Sequence, residues 1–248
     1  MLTKQRQELI LKFLKENGSV TVTEVKDMLD TSESTVRRDI TALDREGRLV
    51  KVFGGAVAAE NNAVTAHEYT VAQKLDLNRE EKQKIAKYAA ALIEPEDFIY
   101  LDAGTTTGYM LEYIDEKRAT FVTNAFDHAK RLVSRGMKVL LIGGELKAST
   151  EAIIGNQAMR MLSGYHFTKG FFGTNGVAKK SGCTTPDANE AMVKQTAMEQ
   201  CKSRYVLCDH SKFDVISPVT FAPFYGTVFI TDKCSTRYEE CENILVVE

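Results

Sequence analysis

A small helical unit followed by a larger α/β domain is the fold that the sequence predicts, and three observations predict it. Two short helical patterns separated by a tight turn lead into a basic strand that ends in Gly54-Gly55. From Asn78 onward, apolar strand runs alternate with helical runs, the order that gives a mostly parallel sheet with helices on both faces. Small and polar residues recur just past those strands, at the end of a parallel sheet where ligands bind. The units are placed at 1–57 and 78–248, with 58–77 as the linker.

The first helix is predicted over about Lys4 to Asn17, with Leu9, Ile10, Phe13 and Leu14 as its buried face and Gly18 as its end. Val22 to Leu29 gives a second, with Val22, Val25, Met28 and Leu29 on one side, and Asp30-Thr31 turns the chain. The third runs from the N-cap Ser32 to the terminator Gly47. Val36, Ile40 and Leu43 fall at i, i+4 and i+7 and form its apolar stripe. Ser34, Arg38, Thr41 and Arg45 lie opposite, flanked by Thr35 and Arg37. Taken alone, that face suits either solvent or a DNA major groove, because arginine can bond guanine edges or phosphates and hydroxyls can reach either. The preceding helix and turn supply a helix-turn-helix spacing. Arg48 to Ala56 then reads as a two-stranded wing that can hold Arg48 and Lys51 near the duplex backbone. The unit is predicted to be a winged helix-turn-helix that contacts DNA through Ser32, Ser34, Thr35, Arg37, Arg38, Thr41, Arg45, Arg48 and Lys51.

Composition narrows the rest. A chain of 248 residues with 44% apolar content is ordinary for a globular protein of two domains. A net charge of −2 gives no overall basic field, so affinity for DNA must come from local arginines and from oligomerisation. The polar, charged N-terminus predicts no signal peptide, and no apolar run approaches a membrane span. Five cysteines without a CxxC pair suit a reducing cytoplasm. The four histidines are scattered, so neither a metal nor a cofactor is expected.

Ala58 to Asp76 is polar and without period, with a short helix near Glu68 to Leu75. Asn78 followed by Glu81 is close to a capping box. It opens a helix to about Ile93, on which Ile85, Ala86, Ala89, Ala90 and Ile93 are apolar. Strands are predicted at Phe98–Leu101, Thr120–Thr123, Lys138–Ile142, Gly170–Phe172, Arg204–Cys208, Thr227–Thr231 and Ile244–Val247. Helices are predicted at Thr106–Tyr113, Phe126–Ser134, Ile154–Leu162 and Ala188–Cys201.

The strand ends carry the candidate chemistry. Asp102-Ala103-Gly104-Thr105-Thr106-Thr107 runs from strand straight into helix. Threonine hydroxyls and free N–H groups there can cradle a phosphate, or the threonines can simply cap the helix. The other ends are Thr123-Asn124, Gly143-Gly144, Gly173-Thr174-Asn175-Gly176 and Asp209-His210-Ser211-Lys212. Lys194 and Lys212 can neutralise a phosphate or remain solvated. Asp102, Asp209 and Glu190 can accept sugar hydroxyls, or only cap or pair a neighbour. Cys183 falls near the same mouth as a free, inert thiol.

Arg6, Ile10, Leu14, Ser32 and the run Thr35-Val36-Arg37-Arg38-Asp39-Ile40 resemble the N-terminal signature of the DeoR family of bacterial transcription regulators, and Gly54-Gly55-Ala56 resembles the end of its DNA-binding domain. Phe53 stands where family members often carry histidine. The resemblance covers essentially the whole chain. It implies a Rossmann-like sugar-phosphate sensor domain related in fold to ribose-5-phosphate isomerase and coenzyme A transferases. Its effector-binding residues would be Asp102, Gly104, Thr105, Thr106, Thr107, Thr123, Asn124, Gly173, Asn175, Gly176, Lys194, Asp209 and Lys212. Phe172-Gly173-Thr174-Asn175-Gly176 with Thr184-Thr185-Pro186-Asp187 looks most like fructose-operon repressors. The resemblance therefore implies a non-enzymatic, cytoplasmic, homo-oligomeric repressor released from operator DNA by a sugar phosphate such as fructose 1-phosphate. The competing expectation is a sugar-phosphate isomerase with a DNA-binding appendage.

Overall fold

The structure is a computed structural model and describes residues 3–17, 19–46, 48–58, 64 and 70–247. The expected terminators Gly18 and Gly47, and residues 59–63 and 65–69 of the predicted linker, lie outside the described residues. The chain divides into two compact units, Met1–Ala63 and Val64–Glu248.

The first unit runs α1 (Thr3–Asn17), β1 (Ser19–Thr21), α2 (Val22–Leu29), α3 (Glu33–Arg45), β2 (Leu49–Val52) and β3 (Gly55–Ala58). Thr21 and Glu24 form a capping box at the start of α2. The Ser32 hydroxyl caps α3 by accepting the Thr35 N–H at 3.3 Å. Ile10, Leu14, Val25, Val36, Ile40, Leu43 and Leu49 fill the core. Leu9 and Met28, expected inside, are 40% and 41% exposed. Ile10 and Leu14, one turn apart, take the inner line of α1, and Leu9 is rotated off it. The expected two-stranded wing is a three-stranded antiparallel sheet in the order β1-β3-β2. The added strand has three residues and buries only Val20, too short for a periodic signal. Gly54, at φ +78°, turns the wing. Gly55 packs so closely that a Cβ would sit 1.9 Å from the Val20 carbonyl oxygen.

The second unit begins with α4 (Val71–Leu75) and α5 (Arg79–Ala90). Then come β4 (Phe98–Leu101), α6 (Thr105–Met110), β5 (Thr120–Thr123), α7 (Phe126–Ser134), β6 (Lys138–Leu141), β7 (Glu145–Leu146), β8 (Ile153–Ile154) and α8 (Asn156–Leu162). It closes with β9 (Phe167–Gly173), β10 (Gly176–Ala178), β11 (Gly182–Thr185), α9 (Ala188–Glu199), β12 (Cys201–Leu207), β13 (Val219–Ala222), β14 (Val228–Thr231) and β15 (Ile244–Val246). Seven strands form one parallel sheet in the order β15-β14-β12-β9-β4-β5-β6. On one face Ile85, Ala89, Met110 and Leu132 from α5, α6 and α7 pack against Ile99, Leu101 and Phe121. On the other, Ala158, Leu162, Val193 and Ala197 from α8 and α9 pack against Tyr100, Phe172 and Val206.

Three differences from expectation have physical causes. Strands β9 and β12 start earlier than predicted because each is central and paired on both sides, which tolerates polar residues. Lys169 of β9 is satisfied by the Leu92 carbonyl at 2.8 Å, Glu94 at 2.6 Å and Asp97 at 2.8 Å. The strands β10, β11 and β13 form a separate antiparallel sheet, and β7 pairs with β8; all are too short to show alternation. Asn78 has φ +49° and makes no side-chain cap on α5. Its amide instead donates to Asp209 Oδ1 at 2.8 Å and Ser211 Oγ at 3.3 Å, so the expected capping box is absent.

Candidate functional site

In the first unit the site is one face of α3 with part of the wing. Ser34, Arg37, Arg38 and Arg45 are exposed, and Thr35 and Thr41 are half-buried. Arg38 and Arg45 have no side-chain partner among the described residues, so both can take a new anion. Arg37 reaches back one turn to Glu33 at 3.5 Å. Lys51 Nζ donates to Thr41 Oγ1 at 3.0 Å, and the Lys51 N–H donates to Asp44 Oδ1 at 2.9 Å. The wing is thereby fixed against α3, with a lysine beside the outer face of that helix. Arg48 is placed otherwise: it bonds Glu8 of α1 at 2.8 Å, so its charge is already met. Ser32 is spent on the cap and on bonds to the Ser34 and Thr35 hydroxyls, both at 2.9 Å.

Asp39 sits on the buried side of α3, at 3% exposure, and receives two bonds from Arg6, at 2.7 and 3.2 Å. This pair ties α1 to α3 and sets the angle at which α3 is presented. Sequence could have found it, because Asp39 falls one turn from Val36 and Leu43 on the apolar stripe, where a carboxylate needs a partner.

In the second unit the predicted residues gather at the carboxyl edge of the sheet. At its centre Lys194 Nζ donates to Asp102 Oδ2 and, at 3.2 Å, to the Gly173 carbonyl. Asp102 also accepts the Gly173 N–H at 2.9 Å. The pair is buried, at 5% and 1% exposure. Burial raises the Asp102 carboxyl above the usual carboxylate range, against Lys194 and the Gly173 N–H, which lower it. Lys194 is therefore a structural cation already bound to oxygen, not a solvated lysine. Gly104 stands beside Gly173, where a Cβ on Gly104 would lie 3.8 Å from the Gly173 Cα. It gives α6 no side-chain cap, which leaves first-turn N–H groups without a side-chain partner among the described residues. The Thr105 and Thr106 hydroxyls have no bond among the described residues.

Four predicted ligands build the mouth instead of facing it. The Thr107 hydroxyl, fully buried, turns inward to the Asp102 carbonyl at 2.7 Å and the Gly104 carbonyl at 2.9 Å. Thr123, also fully buried, accepts the Ala125 N–H at 3.1 Å. Asn124 has both ends of its amide engaged, accepting from Ala103 N–H at 2.9 Å and donating to the Ile153 carbonyl at 3.2 Å. Gly176 is a packing glycine, where a Cβ would sit 2.2 Å from the Val215 carbonyl oxygen. Asn175 is half-buried and bonded to Thr185 at 3.2 Å.

At β12 the mouth is acidic and basic together. Asp209, 1% exposed, accepts from Asn78, from the Ser211 N–H at 3.0 Å and from the Ser211 hydroxyl. Burial works to raise its carboxyl, but Lys212, Ser211, Lys82 and Asn78 hold it below the usual range. His210 Nδ1 lies 2.7 Å from Asp232. Glu190 is engaged by the Thr150 hydroxyl and by Lys147 at 3.2 Å. Cys183 is buried and its thiol is pushed up to about 12 by that burial, so it is inert. Sequence reasoning missed Asn78, Lys82, Lys147, Thr150 and Asp232. Only Lys82 gave a signal: it falls on the apolar stripe of α5 with Ile85, Ala86 and Ala89. Among the described residues no group of three or more His, Cys, Asp or Glu could hold a metal ion, and no helix is long and apolar enough to cross a membrane.

Residues 6–62 match the DeoR-like helix-turn-helix domain, and residues 77–233 match the DeoR C terminal sensor domain. The chain belongs to the DeoR family. This DeoR-family regulator is 39% identical to the uncharacterized HTH-type transcriptional regulator FruR of Bacillus subtilis (strain 168), over 100% of this chain and 98% of that protein. It is 35% identical to the lactose phosphotransferase system repressor of Streptococcus mutans, over 94% of this chain and 93% of that one. Among solved structures, ribose 5-phosphate isomerase A of Methanocaldococcus jannaschii overlaps 55% of each chain at 16% identity, with a TM-score of 0.40.

Proposed function

We propose that this DeoR-family protein represses a sugar-utilisation operon. It binds operator DNA through the outer face of α3 and lets go when a sugar phosphate occupies the mouth of the sensor unit. What carries the reading is the likeness to a repressor of a lactose phosphotransferase system along 94% of this chain. Fructose 1-phosphate is the first candidate effector, from the resemblance of the Phe172–Gly176 and Thr184–Asp187 runs to fructose-operon repressors. Gly104, Thr105 and Thr106 would receive the phosphate, with Gly173, Lys194 and Lys212 at its side. Asp102, Asn175 and Asp209 would choose among sugar hydroxyls. One recognition helix spans few base pairs, so the protein would act as a homodimer or tetramer on repeated half-sites. Release requires only that the effector prefer the arrangement that does not hold DNA.

The protein is read as a regulator and not as an isomerase. Proton transfer at a sugar carbon needs a carboxylate free to act as base. Asp102, Asp209 and Glu190 each already hold protein partners.

The test is operator binding with and without fructose 1-phosphate, for the parent and for Thr106→Val. The parent should release DNA, and the variant should bind DNA normally but need more ligand. Release of the variant at the parent's ligand concentration would put the phosphate elsewhere. Turnover of pentose or hexose phosphates would overturn the regulator-only reading.

A further inference from the structure

The parallel sheet of the sensor unit ends in β15 on one side and in β6 on the other, and the two edges are finished differently. Of β15 only Val246 is exposed. Strand β6 exposes Lys138, Leu140 and Leu141 and half-buries Val139. Edge strands are commonly blunted by charge, proline or a bulge, because their free N–H and C=O groups can pair with another chain. Here the charge is confined to Lys138 at the start, and Val139, Leu140 and Leu141 follow without one.

The apolar rim is more than one strand wide. On the α7 side Phe126 and Val133 are 57% and 58% exposed, and two turns apart they share one line of the helix. With Val139 and Leu141 they border an open groove of about 380 Å³. By alternation Leu140 points to the opposite face of the sheet. On that face Leu146 and Met161 are exposed as well. The Gly143 N–H donates to Met161 Sδ at 3.3 Å, which holds Met161 at the carboxyl end of β6.

The layering says what can cover this rim. An extended peptide could pair with β6, but it has no helix layer to meet Phe126 and Val133. A second copy of the chain carries each layer at the matching height. About a two-fold axis perpendicular to the sheet, β6 meets β6 in antiparallel sense and α7 meets α7. The helix contacts then reciprocate, with Phe126 of each copy toward Val133 of the other. Charge reciprocates too. Lys138 and Glu145 stand at opposite ends of the exposed segment, both exposed and without an ion pair among the described residues. Antiparallel pairing brings the Lys138 end of each copy to the Glu145 end of the other. Lys130, between Phe126 and Val133, can turn its ammonium to water.

Building on the oligomer proposed above, we propose that the rim formed by β6 and α7 is a homodimer interface, at which two copies join their sheets edge to edge into one continuous sheet.

The experiment is sedimentation velocity of the full-length protein without DNA, over a concentration series in the micromolar range. The parent should sediment as a dimer or tetramer. Leu141→Arg, from the strand, and Val133→Asp, from the helix, should each halve that mass and keep the parent's circular dichroism, because both side chains are exposed in the single chain. Lys138→Glu sets like charges together twice by symmetry and should weaken association about tenfold. Adding Glu145→Lys should recover it. Hydrogen exchange reads the backbone directly: the amides of residues 138–141 should be protected in the parent and exchange at least tenfold faster in Leu141→Arg. An oligomeric parent whose mass survives both Leu141→Arg and Val133→Asp overturns this proposal alone, since the copies are then joined elsewhere. So does fast exchange of residues 138–141 in an oligomeric parent, whether or not a variant folds. A charge-swapped double variant that associates no better than Lys138→Glu overturns the antiparallel pairing. A monomeric parent leaves the rim to a different partner and overturns both this proposal and the oligomer reading on which it rests.

Discussion

Arg38 and Arg45 stand exposed on α3 with no partner among the described residues, whereas Lys194 and Lys82 of the sensor unit are buried and already bonded to oxygen. These two pairs of cations are held in opposite states. An exposed, unpaired arginine costs the fold little and suits a polyanion, whose attraction is long-ranged and weakened by salt. A buried lysine must be satisfied at all times, so a ligand can only replace one partner by another. The first arrangement would suit quick, salt-dependent binding to DNA. The second would suit a selective sensor, in which ligand binding is coupled to stability.

The largest expected effect tests that coupling. Lys194→Ala leaves the Asp102 carboxylate buried with only the Gly173 N–H, and breaking a buried pair from one side costs about 3–5 kcal/mol. Thermal unfolding of the sensor unit should fall accordingly, and Lys194→Met with Asp102→Asn should recover most of the loss. An unchanged melting temperature in Lys194→Ala would mean that the pair is not held as tightly as its burial implies.

Acid gives the next contrast. His128 on α7 is 6% exposed, and burial together with Arg131 pushes its imidazole down to about 4. A depressed histidine contributes stability that is present above its unfolded value, near 6.5. That stability is lost as pH falls through the folded value. Between those limits the sensor unit should lose about 3 kcal/mol from this group alone. His128→Gln should flatten the slope of unfolding free energy against pH in that window. A parent slope unchanged in His128→Gln would show that His128 titrates normally.

The same contrast explains what was legible in the sequence. The face of α3 was readable because helical spacing alone sorts Val36, Ile40 and Leu43 from Arg38, Thr41 and Arg45. The parallel sheet was readable because its strands are apolar and regularly spaced, and so was the gathering of polar residues at its carboxyl edge. Which of those residues face the mouth was not readable. Thr105, Thr106 and Thr107 are chemically alike, and only the turn into α6 sends Thr107 inward to the Asp102 carbonyl. Lys194 and Asp102 are ninety-two positions apart, and no local pattern joins them. The informative signal was a charged residue on an apolar stripe, Asp39 on α3 and Lys82 on α5. Each needs a partner from another element, and each marks a place where structure adds to sequence.

The smallest effect separates cations within the helix-turn-helix unit. Arg38 and Arg48 are both exposed arginines, but Arg38 has no partner among the described residues while Arg48 bonds Glu8 at 2.8 Å. If openness to a new anion decides which residue meets DNA, Arg38→Ala should weaken operator binding by about 1–3 kcal/mol when it reads a base. In that case the sequence preference relaxes at one position and the salt dependence stays nearly the same. If Arg38 grips phosphate, all sequences weaken together and the salt slope falls by about one. Arg48→Ala should change affinity by less than either, because Arg48 must leave Glu8 before it can reach phosphate, and Glu8→Ala should then strengthen binding slightly. Anisotropy titrations of a labelled operator over a range of salt concentrations distinguish these outcomes. An Arg48→Ala loss larger than that of Arg38→Ala would show that the wing carries more of the binding than α3. The exposed, unpaired state of Arg38 would then be no guide to where the DNA lies.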